Sequence, residues 1–201
     1  MNTIYTIGYS GFEVEDFVKV LSRYKISCLV DVRSLPQSAY FKDFNKENIS
    51  RRLKQKNILY RHYAREFGAR QTDENFYTDG ILDFSKFALS PQFLDGVHKI
   101  EKGMELGYTF ALMCAEKRPE NCHRCILVSR EFYRLGYEVR HILDGGNYIH
   151  QDDVEEILIN KYFPDRKQIS LFGELSREEM VNRSYAARNL EIGYKPEGDN
   201  K

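Results

Sequence analysis

The chain has no excess charge of either sign: 30 lysines and arginines meet 30 aspartates and glutamates, so the formal net charge is zero. No global field therefore draws it toward nucleic acid or a membrane surface. No run approaches the ~20 apolar residues needed to span a bilayer. The opening Met1-Asn2-Thr3-Ile4-Tyr5 lacks the basic start and apolar stretch of a signal peptide. These absences predict a cytoplasmic protein with no membrane partner. Cysteine is scarce, at four residues (Cys28, Cys114, Cys122 and Cys125). In a reducing compartment such cysteines are catalytic, ligating or buried rather than paired. Internal repeats and low-complexity tracts are also missing.

What is present suffices for one sizeable core. The chain has 201 residues, 42% of them hydrophobic, which predicts a single domain. Thr3–Gly8, Ser27–Val32 and Tyr108–Cys114 read as nearly continuous apolar strands, with Tyr137–Leu143 as a further strand and Ile58–Tyr60 as a short one. Helical spacing runs from Phe12 to Tyr24, from Ile49 to Lys56, from Pro91 to Gly103 and from Asp152 to Phe163. Pro119 is placed to open another helix ending at Gly136. Apolar strands alternating with helices predict an α/β fold, a mostly parallel Rossmann-like sheet with helices on both faces. The domain is expected to cover residues 1–164. Residues 165–201 read as a C-terminal tail, partly helical from Ser176.

In open parallel sheets, ligands bind beyond the carboxyl ends of the strands. Residues collected there are Gly8, Tyr9 and Ser10, then Asp31 and Arg33, then Cys114 and Glu116, then Asp144 to Asn147. Cys114 and the run Cys122-His123-Arg124 form the sharpest feature. Cys122 is expected in the first turn of a helix, where the dipole favours a thiolate. His123 titrates near neutrality and suits proton transfer, while Arg124 and Arg118 suit a phosphate or carboxylate. These residue types make Cys114, Cys122 and His123 the candidate catalytic set. Gly8, Tyr9, Ser10, Asp31, Arg33, Glu116 and Arg124 are the candidate substrate-binding set. Asp31 and Arg33 also fit an ordinary ion pair. The competing reading places Cys122 and Cys125 on one apolar helix stripe as core residues, and it fits Cys125 best. A metal is not expected: Cys122-x-x-Cys125 has ligand spacing, but no second close pair completes a structural zinc site.

Residues 46–70 carry eight basic side chains, Lys46, Arg51, Arg52, Lys54, Lys56, Arg61, Arg65 and Arg70, against Glu47 and Glu66, with Tyr60, Tyr63 and Phe67 interleaved. Single-stranded nucleic acid uses such a strip, charge for phosphates and rings for bases. A solvated helix face backed by core aromatics gives the same composition.

Three stretches together, Thr6-Ile7-Gly8-Tyr9-Ser10, Asp31-Val32-Arg33 with Pro36 and Ser38, and Leu112-Met113-Cys114-Ala115-Glu116-Lys117 with Pro119 and Cys122-His123-Arg124, closely resemble the domain-of-unknown-function 488 family. The resemblance covers about residues 3–150. It departs at Tyr9, where the family often has His, and at Phe67-Gly68-Ala69, where Leu-Gly-Gly is usual. It implies an α/β fold and a site around Asp31, Arg33, Cys114, Glu116, Cys122, His123 and Arg124, and it implies no particular reaction or cofactor.

In the tail, Gln168-Ile169-Ser170-Leu171-Phe172 resembles the peptide by which bacterial replication and repair proteins hook the sliding clamp. Leu171 and Phe172 would enter an apolar pocket and Gln168 a polar one. The same apolar residues would equally serve as cover packed back on the domain. The sequence therefore supports three functions. One is a thiol enzyme acting on a phosphate-bearing substrate such as a nucleotide or nucleic acid, with a redox variant cycling Cys114 and Cys122 through a disulfide. The second is a non-catalytic DNA-associated adaptor recruited by the clamp. The third is a metal-binding protein.

Overall fold

A strand apolar on both sides must be covered on both sides, and three such strands, Thr3–Gly8, Cys28–Asp31 and Phe110–Cys114, set the architecture. The computed structural model describes residues 2–166, 169–170 and 173–196. In chain order, β1 (Thr3–Gly8) leads through a 3₁₀ turn at Tyr9–Gly11 to α1 (Val14–Arg23), then to β2 (Cys28–Asp31). Next come α2 (Lys46–Lys54), β3 (Leu59–His62), the single turn α3 (Ala64–Phe67) and a hairpin of β4 (Tyr77–Thr78) and β5 (Ile81–Leu82). The short α4 (Phe84–Ala88) and the long α5 (Pro91–Glu105) precede β6 (Phe110–Cys114). A π-helical stretch, Arg124–Ser129, runs into α6 (Arg130–Arg134), followed by β7 (Glu138–Ile142), β8 (Tyr148–His150) and α7 (Gln151–Tyr162). A second small hairpin, β9 (Ile169–Ser170) and β10 (Gly173–Glu174), leads to α8 (Arg177–Ile192).

The central sheet has the order β3-β2-β6-β1-β7-β8. Its first five strands are parallel, and only the edge strand β8 runs antiparallel, against β7. Period-two alternation splits each strand between two cores. Ile4, Val30, Phe110 and Leu112 face one cluster with Phe93, Ile126, Phe132, Leu158 and Tyr185. Tyr5, Ile7, Leu29, Ala111 and Met113 face the other with Phe17, Leu21, Ile49 and Leu53 from α1 and α2. The expected three-layer α/β fold is thus present. No helix among the described residues is long and apolar enough to cross a membrane.

Local capping explains several element starts. Ser90 Oγ accepts the Phe93 N–H at 3.2 Å ahead of Pro91, the first residue of α5. Gly136 takes φ +88° just beyond α6, the left-handed conformation that ends a helix at least cost with glycine.

Two expectations need correction. Pro119 opens a separate 3₁₀ turn, Pro119–Asn121, closed when the Cys122 N–H donates to Pro119 O at 3.0 Å. Cys122 is then extended, at φ −134° and ψ 138°, and the helix begins after it. Its carbonyl accepts the Cys125 and Ile126 N–H groups at 2.9 and 3.0 Å, so Cys122 caps the helix instead of lying in its first turn. The second correction concerns the expected tail. Helix α8 starts in a capping box of Ser176 and Glu179 and buries Met180, Val181, Ser184, Tyr185 and Arg188. Arg188 Nε donates to Glu120 O at 2.7 Å, and Asn189 bridges the Phe84 N–H and Leu82 O. Residues 177–192 therefore belong to the folded body.

If α8 is integral to the fold, Tyr185→Ala should lower unfolding free energy by about 3–5 kcal/mol in urea titrations. A loosely attached tail would leave the midpoint unchanged.

Candidate functional site

The carboxyl ends of β1, β2 and β6 meet on one rim, because register pairs Gly8 with Cys114 and Asp31 with Met113. Gly8 is there for clearance: a Cβ on it would lie 1.8 Å from the Glu116 carbonyl oxygen. The loop after β6 therefore crosses directly over the end of β1, and the Ser10 N–H donates to Ala115 O at 3.0 Å to hold it. This loop brings Cys114 and Cys122 together.

The sulfurs of Cys114 and Cys122 and a ring nitrogen of His123 all lie within 4.8 Å of one another. Both thiols are buried, and His123 is partly so. His123 Nε2–H donates to Val32 O at 2.9 Å, which turns Nδ1 toward the two sulfurs at 3.8 and 4.0 Å. Cys122 Sγ lies 2.8 Å from Glu116 Oε2. Two anions do not approach so closely, so a proton lies between them. Burial, then the Cys122 charge, pushes the Glu116 carboxyl above its ordinary range.

Burial by itself would suppress ionisation of Cys122, but the Cys114 thiol donating to it and the charges of Arg124 and His123 hold it well below the usual thiol range. Cys114 moves the opposite way, well above that range, through its hydrogen bond to Cys122 and its own burial. Of the pair, Cys122, at the helix N-terminus, is therefore the thiol favoured to ionise. His123 rises despite burial because it faces the Cys122 sulfur.

Arg124 supplies the compensating cation from an unexpected position. It was expected to hold an anionic substrate, yet its side chain is 0% exposed. Nη1 donates to Glu116 O at 2.5 Å, Nη2 to Lys117 O at 3.4 Å and Nε to Thr6 Oγ1 at 3.4 Å. No carboxylate pairs with it among the described residues. It clamps the loop backbone from beneath and leaves the Cys122 thiolate as a nearby counter-charge.

Asp31 and Arg33 form a buried bidentate pair, Nε to Oδ1 at 2.9 Å and Nη2 to Oδ2 at 2.6 Å. Tyr60 donates to Asp31 Oδ2 at 2.6 Å, and Arg33 Nη2 donates to Phe44 O at 2.8 Å. The Arg33 guanidinium also lies 5.0 Å from the Tyr9 ring centre, and Tyr9 stacks on Phe44 at 4.6 Å. This assembly forms one wall of a cavity of about 440 Å³, where Tyr9, Arg33, Cys114, Glu116 and His123 come together. Cys122 lies behind Cys114, while Gly8, Ser10, Asp31 and Arg124 support the wall from outside the cavity.

Sequence reasoning missed the opposite wall. Arg70, Ile192 and Tyr194 line it, with the Arg70 guanidinium 5.1 Å from the Tyr194 ring centre. Arg70 has no carboxylate partner among the described residues and is the only member of the basic strip lining this cavity. The rest of that strip is spread over α2, the turn after it at Lys56, β3 and α3, and Arg52 is paired with Glu15 and Asp43. Cys125 lies in the core beside His141 and Gln151, and burial pushes its thiol up to about 12. Gln168, Leu171 and Phe172 of the clamp-like peptide lie outside the described residues. Cys114, Cys122 and His123 are also the donors able to hold a metal ion.

Removing one partner of the buried pair strands a charge. Asp31→Ala should cost about 3–5 kcal/mol of stability. Arg52→Ala, which breaks an exposed pairing, should cost less than about 1 kcal/mol. Urea titration of both variants checks the contrast.

Comparison with known proteins agrees with the site's sequence motifs. No curated protein and no solved structure matches the chain. A family profile described as "Domain of unknown function DUF488" matches residues 13–130, a span holding Asp31, Arg33 and the whole thiol cluster, and the chain belongs to that family.

Proposed function

We propose that this protein is a thiol-dependent enzyme acting on a phosphate-bearing substrate, such as a nucleotide or nucleic acid, in the cavity fronted by Cys114. One observation carries the proposal: the buried cluster of the Cys114 and Cys122 sulfurs and a His123 ring nitrogen, all within 4.8 Å of one another, opens on a cavity through Cys114, with His123 and Glu116 at its edge. A buried thiolate maintained by a buried guanidinium is costly unless chemistry uses it. Cys114 sulfur attacks the electrophilic atom as its proton passes to Cys122 or His123 Nδ1. The bond to the leaving group breaks with its electron pair, and Glu116 supplies the proton that group needs. Arg70 at the mouth supports binding of the substrate's anionic group.

Reactivity against pH tests the reading. Alkylation follows the thiolate fraction, so a lowered pKa keeps a thiol reactive as pH falls below the ordinary ~8.5. The Cys114–Cys122 pair should react with iodoacetamide well below that pH, and a nucleoside monophosphate should slow the reaction. Cys28 and Cys125, raised by burial to about 11 and about 12, should stay unreactive. Reaction of the pair only in the range of unfolded cysteine, with no protection by the nucleotide, would remove the thiol-enzyme reading.

A metal centre is the second reading, and the sulfur–nitrogen separations favour it. At 3.8 and 4.0 Å they are long for an N–H···S bond and nearer the edge of a tetrahedron around zinc, about 3.6 Å from ordinary bond lengths. His123 Nε2–H on Val32 O is the outer contact a ligating histidine uses. One equivalent of zinc should then block alkylation of both cysteines in the reduced protein; unchanged alkylation would exclude this reading.

The adaptor reading has support from the sequence only, in the peptide Gln168 to Phe172, and a place in DNA replication or repair rests on the same peptide.

A further inference from the structure

A second hollow of about 490 Å³ lies between the β4–β5 hairpin, α6 and α8, and it contains no cysteine. Its accessible apolar side comes from Ile81, Ala186 and Leu190, over a floor of the buried Leu82, Phe84 and Ile126. Its polar side holds Arg130 and Arg134, one helical turn apart on α6, with Asn182 and with Asp83, whose carboxylate is taken up capping α4 through the Ser85 and Lys86 N–H groups. Arg134 is 63% exposed and touches Glu131 at 3.3 Å. Arg130 is half-buried, lies 3.8 Å from the Tyr185 ring centre and donates from Nη2 to Asn182 Oδ1 at 2.8 Å. No carboxylate lies within ion-pair distance of it among the described residues. Burial pulls the Arg130 guanidinium below its ordinary range, and the Arg134 charge acts in the same direction.

A cation drawn out of water, with a second cation at i+4, is unfavourable without an anion to join them. One doubly charged group answers both guanidiniums, and the apolar side of the hollow answers an uncharged body. We propose that this hollow is a second ligand site, distinct from the thiol cavity, for a phosphate monoester with an apolar body. Arg130 and Arg134 grip the phosphate, and the body lies on Ile81, Ala186 and Leu190. Stacking on Tyr185 keeps the Arg130 fork in place before the ligand arrives, so little side-chain entropy is lost on binding.

Calorimetric titration of the full chain with hexyl phosphate, inorganic phosphate and hexanoate tests the assignment. Hexyl phosphate should bind more tightly than either of the others, because only it satisfies both sides of the hollow. Arg130→Gln should weaken it by at least about tenfold. Arg134→Gln, at an exposed position that does not support the fold, should weaken it as well while leaving the circular dichroism spectrum unchanged. Three results would overturn the assignment: no binding of hexyl phosphate to the wild-type protein, hexanoate binding as tightly, or affinity unaltered in both variants.

Discussion

Arg124 is the constraint around which the site is built. A guanidinium with no exposure and no carboxylate partner among the described residues must satisfy its donors and offset its charge locally. It does the first on the carbonyls of Glu116 and Lys117, which fixes the path of the loop after β6. That path in turn requires glycine at position 8, since any Cβ there would collide with Glu116 O. It does the second through Cys122, whose sulfur becomes the charged member of the thiol pair. One buried cation thus links strand end, loop course and thiol ionisation.

A chain of buried hydrogen bonds continues from Arg124 along one face of the sheet. Thr6 hydroxyl, next to Arg124 Nε, donates to His141 Nδ1 at 2.8 Å, and His141 Nε2–H donates to Gln151 Oε1 at 2.8 Å. Gln151 Nε2 then donates to the Tyr185 hydroxyl at 2.5 Å. Burial, then the Arg124 charge, pushes His141 down to about 3, so it stays neutral and its two nitrogens keep fixed donor and acceptor roles. The loop beside the thiols is therefore braced from α8, which packs on the same face of the sheet as Cys114 and Cys122. Helix α8 also supplies Ile192 to the cavity wall, with Tyr194 just beyond it.

The sheet was legible in the sequence because parallel strands covered on both faces are written as unbroken apolar runs. The element starts at Ser90–Pro91 and the stop at Gly136 were legible for the same local reason, the chemistry of helix ends. The β4–β5 hairpin and β8 were not, as strands of two or three residues carry no periodicity. Helix α8 was read as tail because its buried face mixes Met180, Val181 and Tyr185 with Ser184 and Arg188, which hides the apolar stripe. The rim rule gathered Cys114, Glu116, His123, Asp31 and Arg33, all adjacent to strand ends or helix starts, and the fold brings them to one rim. It did not reveal the inward direction of Arg124, which depends on the loop above it. It also missed Arg70 and Tyr194, which meet across 124 positions of sequence.

The most direct test of this account is a titration of thiolate ultraviolet absorbance against pH in the wild-type protein and in Arg124→Gln. The account predicts one thiolate persisting well below the ordinary thiol range in the wild type, lost toward that range once the guanidinium is removed. A wild-type titration with no thiolate below the ordinary range, or one that Arg124→Gln leaves unmoved in a folded protein, would contradict the claim that the buried arginine sets the charge of the thiol pair.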